Sequence, residues 1–110
     1  MTKPKVKTID VHELKKRRDV EPNLCLIDVR EPHEWEALRI PGALHIPKDQ
    51  LTHSIKGLIS DHEKAIYLHC KAGARSLYAA DCLIDLGYKE VYSVDGGIAE
   101  WLMFGYPVEE

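Results

Sequence analysis

Short apolar runs alternate along the chain with longer segments in which apolar residues recur every three or four positions. The short runs predict β-strands, and the longer segments are typical of helices that bury one face. Strands that alternate with helices favour an α/β fold, a mostly parallel five-stranded sheet with helices on both faces. The predicted strands are 6–9, 24–29, 43–46, 65–69 and 90–94, and the predicted helices follow Asp10 or occupy 31–36, 50–59, 76–86 and 98–104.

Length and composition narrow the class of protein. A chain of 110 residues is enough for one domain whose core needs neither metal nor disulfide. We therefore expect residues 1–110 to form a single domain, with 1–6 as a flexible tail. The formal net charge of −3 gives no support to a nucleic-acid partner. No apolar run approaches membrane-spanning length, and the N-terminus has no signal-peptide pattern. The three cysteines include no C-x-x-C pair, which favours a reducing compartment. We therefore expect a cytoplasmic protein.

The stretch 65–87 combines a buried strand, a short loop and a helix. Cys70 follows the strand, so its thiol is predicted at the carboxyl edge of the sheet and near a helix N-terminus. Backbone N–H groups and the helix dipole favour a thiolate there. Gly73 permits unusual backbone angles, while Lys71 and Arg75 add positive charge at the loop rim. Inward-turned amides would form a nest that holds an anion above the sulfur.

This interpretation makes two structural requirements. The N–H groups of the loop must point towards the side chain at position 70, and solvent must be able to reach that side chain. The alternative for Cys70 is a buried, inert cysteine at a strand end, since free cysteines are often buried.

The loop Cys70-x-x-Gly73-x-Arg75 resembles the active-site loop of the rhodanese (sulfurtransferase) family. Three more blocks resemble family signatures in the right order, and together they cover nearly the whole chain: 26–35, 40–47 and 94–108. The resemblance implies a single rhodanese-like domain. One departure is Leu38-Arg39, where the family usually has Gly-His, and we expect Arg39 to change the surface beside the site without removing the chemistry.

The resemblance also implies a two-step sulfur transfer. Cys70 would take a sulfane sulfur from thiosulfate or a persulfide, and pass it to cyanide, a thiol or a protein acceptor. It implies no cofactor and no metal, and we expect a monomer or weak dimer without membrane or nucleic-acid partners. The implied substrate-binding residues are Lys71, Ala72, Gly73, Ala74, Arg75 and Ser76, with Asp28 and Arg30 supporting the site.

Two other functions remain as alternatives. His69-Cys70 and Arg75-Ser76 superficially resemble the H-C-x5-R-S/T signature of cysteine phosphatases and arsenate reductases. Only four residues separate Cys70 from Arg75, one fewer than that signature needs, and a smaller ring of amides suits a sulfur atom better than a phosphate. The second alternative is a non-catalytic binding module, which would be expected to lose the cysteine, glycine or arginine that this chain retains.

The remaining candidate residues are predicted to be structural. Cys25 and Cys82 lie too far along their elements to form a disulfide with the loop cysteine. His69 points to the opposite face of its strand and is expected to support the core or the loop. No histidine pair has convincing metal-ligand spacing. Trp35 and Trp101 are expected to anchor short helices to the core, with a place at the mouth of the site as the alternative for Trp35.

Overall fold

The computed structural model describes residues 4–110 and contains one five-stranded sheet with the strand order β1-β5-β4-β2-β3. All four strand pairings are parallel, which confirms the predicted α/β class. Residues 1–3 of the predicted tail lie outside the described residues. The strands are β1 Lys7–Ile9, β2 Leu26–Asp28, β3 Leu44–His45, β4 Ile66–His69 and β5 Val91–Val94, and the helices are α1 Val11–Val20, α2 Pro32–Ala37, α3 Lys48–Leu58, α4 Ala74–Asp85 and α5 Gly97–Met103.

The central strands β2, β4 and β5 are buried along their whole length, as expected of a parallel sheet covered on both faces. In the register, Leu68 of β4 lies between Ile27 of β2 and Ser93 of β5. Because the strands are parallel, the residues that follow β2, β4 and β5 all emerge at one edge of the sheet. The fold therefore brings Asp28, Cys70 and the start of α5 together.

Two apolar clusters hold the layers together, one on each face of the sheet. On one face, α3 and α4 contribute buried residues such as Leu51 and Leu83. On the other face, α1 and α5 contribute Leu14 and Trp101. The burial of apolar area on both faces is the main favourable contribution to the free energy of folding.

The two tryptophans differ in their role. Trp101 is buried and its indole N–H donates to the carbonyl of Pro107 at 2.7 Å, so it anchors α5 to the core as predicted. Trp35 is half-buried and belongs to neither core cluster; its ring stacks on His45 with centroids 4.9 Å apart, and the guanidinium of Arg39 lies over it. Trp35 thus anchors α2 to the edge strand β3.

The main difference between predicted and observed helix boundaries is in α4, which begins at Ala74 rather than at the predicted residue 76. Gly73 is its N-cap and has φ of 122°, a left-handed conformation that lets the chain turn directly from the loop into the helix. Arg75 therefore lies in the first turn of α4. Val6, expected in the first strand, lies before β1 and packs partly buried against the core.

Candidate active site

The N-terminus of α5 shapes the loop that carries Cys70. The N–H of Ile98 donates to the carbonyl of Cys70 at 2.9 Å, and the N–H of Ala99 donates to that of Lys71 at 3.0 Å. Gly97 allows this approach because a Cβ there would lie 2.4 Å from the Cys70 carbonyl oxygen. The carbonyl oxygens thus face α5. Since a peptide N–H points opposite to the carbonyl of the same peptide, the Lys71 carbonyl that faces α5 turns the N–H of Ala72 away from α5, and this N–H bonds to the sulfur.

The backbone forms a cradle of N–H groups around the Cys70 sulfur. The N–H of Gly73 donates to Sγ at 3.1 Å and that of Ser76 at 3.4 Å. The N–H of Ala72 also contributes a hydrogen bond, and Ser76 Oγ lies 3.6 Å from Sγ. The prediction that the loop amides point inward is therefore confirmed.

The hydrogen bonds of this cradle favour the thiolate. Burial alone raises the pKa of the Cys70 thiol, but hydrogen bonding with the Ser76 hydroxyl and with the backbone N–H groups of Ser76, Gly73 and Ala72 outweighs it. The net result is a pKa below the ordinary cysteine value. The Ser76 hydroxyl is itself held, 2.8 Å from Ser93 Oγ and 3.1 Å from the Gly73 carbonyl.

The second requirement, access of solvent to the thiol, is not met in this conformation. Cys70 is only 1% exposed, although its neighbours Lys71 and Ala72 are exposed. The expectation of a reachable side chain is therefore wrong for this conformation, because Cys70 belongs to the apolar cluster that α3 and α4 form on one face of the sheet.

Arg75 binds a carboxylate rather than pointing freely to the loop rim. Its Nη1 donates to Glu34 Oε1 at 2.6 Å and its Nη2 to Oε2 at 3.0 Å. This hydrogen bonding lowers the pKa of Glu34 to about 2, and Glu34 Oε1 also accepts the N–H of Glu31 at 2.9 Å. Glu34 was not predicted as a site residue, because its only signal in the sequence is its place within the block 26–35. Lys71 is exposed, with no ion pair found among residues 4–110.

Asp28 and Arg30 form a buried ion pair beneath the loop. Arg30 Nη2 lies 2.8 Å from Asp28 Oδ2 and also donates to the Leu38 carbonyl at 2.6 Å. His69 Nδ1 lies 3.3 Å from the Cys70 carbonyl, while its Nε2 is buried without a hydrogen bond and 3.6 Å from Asp28 Oδ2. Burial lowers the pKa of His69 and so favours the neutral ring. These contacts fit the predicted supporting role and none reaches Sγ.

An open groove of about 440 Å³ runs beside the loop between α2 and α5. A larger one, of about 560 Å³, lies between residues 4–6 and α4, and Ala74, the first residue of α4, is the predicted site residue that lines it. The smaller groove is the one that contains charged groups of the site. Its lining residues are Arg30, Glu34, Ala37, Leu38, Lys71, Ile98, Ala99 and Leu102.

The other residues singled out from the sequence make no hydrogen bond to the thiol within the described residues. Arg39 pairs with Glu109 at 3.2 Å and forms an antiparallel bridge with it, so it fastens the C-terminal segment. Cys25 and Cys82 are half-buried free cysteines.

Within the described part of the chain, no three histidine, cysteine or acidic side chains are arranged to hold a metal ion. In the same residues, no helix is long and apolar enough to cross a membrane.

Comparison with known proteins places the chain in a family. The family profile described as "Rhodanese-like domain" matches residues 10–103. The thiosulfate sulfurtransferase GlpE of Tolumonas auensis is 34% identical over 80 residues, which cover 73% of this chain and 74% of GlpE. The probable adenylyltransferase/sulfurtransferase MoeZ of Mycobacterium tuberculosis is 38% identical over 95 residues, 86% of this chain but only 24% of MoeZ.

Solved structures agree with the sequence relatives. A crystal structure of a rhodanese-related protein from Thermoplasma volcanium superposes with a TM-score of 0.79 and 31% identity, covering 94% of this chain and 97% of that one. The residues matched by the family profile include the loop that carries Cys70. The chain belongs to the rhodanese-like domain family.

Proposed function

We propose that this protein is a sulfurtransferase whose nucleophile is the Cys70 thiolate. The observation that carries the proposal is the convergence of the N–H groups of Ala72, Gly73 and Ser76 on a single sulfur atom whose pKa is lowered. Such a cradle stabilises a sulfur anion without fixed positive charge at the sulfur itself. A thiolate is a strong nucleophile, and a sulfane sulfur is the electrophile we propose for it.

The first step with thiosulfate balances as a displacement at sulfur. The Cys70 thiolate attacks the sulfane sulfur, an S–S bond forms, the bond to the sulfonate sulfur breaks, and sulfite leaves with the electron pair. The product is the Cys70 persulfide anion, which the amides of the loop can also bind. In the second step, cyanide, a small thiol or a protein thiol attacks the outer sulfur and the thiolate is regenerated.

Each predicted site residue has a place in this proposal. Lys71, Ala72, Gly73, Ala74, Arg75 and Ser76 form the loop and first helical turn that bind the persulfide and the donor, while Asp28 and Arg30 hold the segment beneath. The name of the Tolumonas relative supports thiosulfate as a donor. Since Cys70 is 1% exposed, the proposal includes a loop movement that admits the donor.

Mass spectrometry of the intact protein after incubation with thiosulfate tests the proposal. We expect a mass gain of one sulfur atom in the native protein and none in Cys70→Ser, because serine is a much poorer nucleophile towards sulfur. Cys82→Ser is the matched control and should gain the sulfur normally. A gain that persists in Cys70→Ser, or hydrolysis of a phosphate ester without any sulfur gain, would contradict the assignment.

A further inference from the structure

The basic residues around the Cys70 loop are largely neutralised by carboxylates. Arg75 makes two hydrogen bonds with Glu34, at 2.6 and 3.0 Å. Arg30 is paired with Asp28, and both side chains are buried. Lys71 is the basic loop residue for which no ion pair is found within residues 4–110.

This charge balance bears on the donor. Thiosulfate carries two negative charges and must approach a thiolate that carries a third. Glu34 lines the groove beside the loop and is ionised at all ordinary pH values, since its pKa is held at about 2. A carboxylate there opposes a dianion directly, and it also engages the guanidinium that would otherwise attract one.

The lining of the groove, which meets the loop at Lys71 and not at Cys70 itself, suits a different kind of donor. Its walls between α2 and α5 are mostly apolar, formed by side chains such as Leu38, Ile98 and Leu102. Leu102 is 48% exposed, so apolar area remains available to a bound molecule. An inorganic dianion gains nothing from these walls, whereas the carbon skeleton of an organic persulfide can bury area against them.

We propose that Glu34 is a specificity-determining residue that, by binding Arg75, disfavours dianionic donors and favours an organic persulfide as the sulfur donor. This inference rests on the proposed sulfurtransferase function. In the transfer step, the Cys70 thiolate attacks the outer sulfur of R–S–SH. The new S–S bond forms, the old one breaks, R–S⁻ leaves with the electron pair, and the proton stays on the transferred sulfur until solvent accepts it.

A purely structural role for Glu34 predicts something different. Glu34 also accepts the N–H of Glu31 in a capping box at the start of α2, so its loss could loosen that helix. Loosening would change the use of every donor together. Electrostatic selection instead changes the ratio between a dianionic and a weakly charged donor.

The test compares two donors across matched variants. Glu34→Gln removes the charge and retains a side chain that can bond to Arg75, while Glu36→Gln removes a charge from an exposed position on the same helix. The donors are thiosulfate and the persulfide of N-acetylcysteine methyl ester, whose body is uncharged. The readouts are kcat/KM for each donor and its dependence on ionic strength.

We expect Glu34→Gln to raise kcat/KM for thiosulfate by about five- to tenfold at low salt, with a smaller gain at high salt. The value for the persulfide should change by less than about twofold, and Glu36→Gln should leave both unchanged. An equal change for both donors, or no gain with thiosulfate, would overturn the role of Glu34. If neither donor loads sulfur onto Cys70 of the native protein, the proposed function itself fails.

Discussion

Ser76 is the side chain that most directly adjusts the reactivity of Cys70. It offers Sγ both a backbone N–H at 3.4 Å and a hydroxyl at 3.6 Å, and it is completely buried. Its hydroxyl also lies 2.8 Å from Ser93 Oγ. Ser76 Oγ also donates to the Gly73 carbonyl at 3.1 Å, so this carbonyl competes with the thiolate for the Ser76 proton.

Ser76→Ala tests this contribution. Removing the hydroxyl leaves the backbone cradle intact but withdraws one hydrogen bond from the thiolate, so the pKa of Cys70 should rise. The population of thiolate near neutral pH falls accordingly, and alkylation of Cys70 by iodoacetamide should slow by about three- to tenfold. The acid limb of the rate against pH should move to higher pH. Leu77→Ala, an exposed change one position along α4, is the control and should leave the limb in place.

Arg75→Ala separates a role in donor binding from a role in stability. The change leaves Glu34 as an unpaired carboxylate in the groove, so kcat/KM for thiosulfate should fall by about tenfold. The ion pair is partly exposed, with side chains 32% and 20% exposed, and its loss should cost no more than about 1 kcal/mol of unfolding free energy. Kinetics with thiosulfate measure the effect on donor use, and a thermal melt measures the effect on stability. Unchanged kinetics with a large drop in melting temperature would show that Arg75 is structural.

At the scale of elements, the start of α5 determines the shape of the loop. Gly97 has φ of 52°, and a Cβ there would lie 2.4 Å from the Cys70 carbonyl and 2.6 Å from that of Lys71. Gly97→Ala should therefore push α5 away from the loop and disturb the N–H cradle. We expect a loss of about 1–3 kcal/mol in unfolding free energy and a large loss of sulfur loading at Cys70.

Gly57 provides the matched control for this substitution. It lies in α3 without a positive φ, and a Cβ added there would meet no heavy atom from other parts of residues 4–110 within 4 Å. Gly57→Ala should stabilise the protein by about 0.5–1 kcal/mol, because alanine is the better helix former, and should leave sulfur loading unchanged. For both variants, urea unfolding measures the free energy of unfolding and the mass of the intact protein measures sulfur loading. Normal loading in a folded Gly97→Ala protein would contradict the role of α5.

The order and type of the elements could be predicted from the sequence because each depends on local patterns. Apolar runs in the sequence indicated β2, β4 and β5. The helical spacing of Leu51 and Ile55 indicated α3. The pairing of Arg75 with Glu34 could not be predicted from the sequence, since 41 positions separate the two residues and only folding brings α2 to the loop. The burial of Cys70 was also missed, because sequence patterns do not show how closely neighbouring elements pack over a side chain.

At the scale of the whole molecule, one buried ion pair joins the strands to the site. Asp28 ends β2 and is fully buried, and Arg30 extends from it to the Leu38 carbonyl at the end of α2. The carboxylate also accepts the backbone N–H of Arg30 at 2.9 Å. Asp28 and Arg30 thus neutralise each other inside the core, where either charge without its partner would be costly.

Asp28→Ala should accordingly destabilise the whole domain. It leaves the Arg30 guanidinium buried without its partner, and loss of one partner from a buried pair costs about 3–5 kcal/mol. That is a large share of the roughly 5–15 kcal/mol that stabilises a typical domain. Replacing both residues, in Asp28→Leu/Arg30→Met, removes the unpaired charge and should recover much of the loss in urea unfolding. If the double variant is as unstable as Asp28→Ala, the cost lies in packing at the carboxyl edge of the sheet rather than in the stranded charge of Arg30.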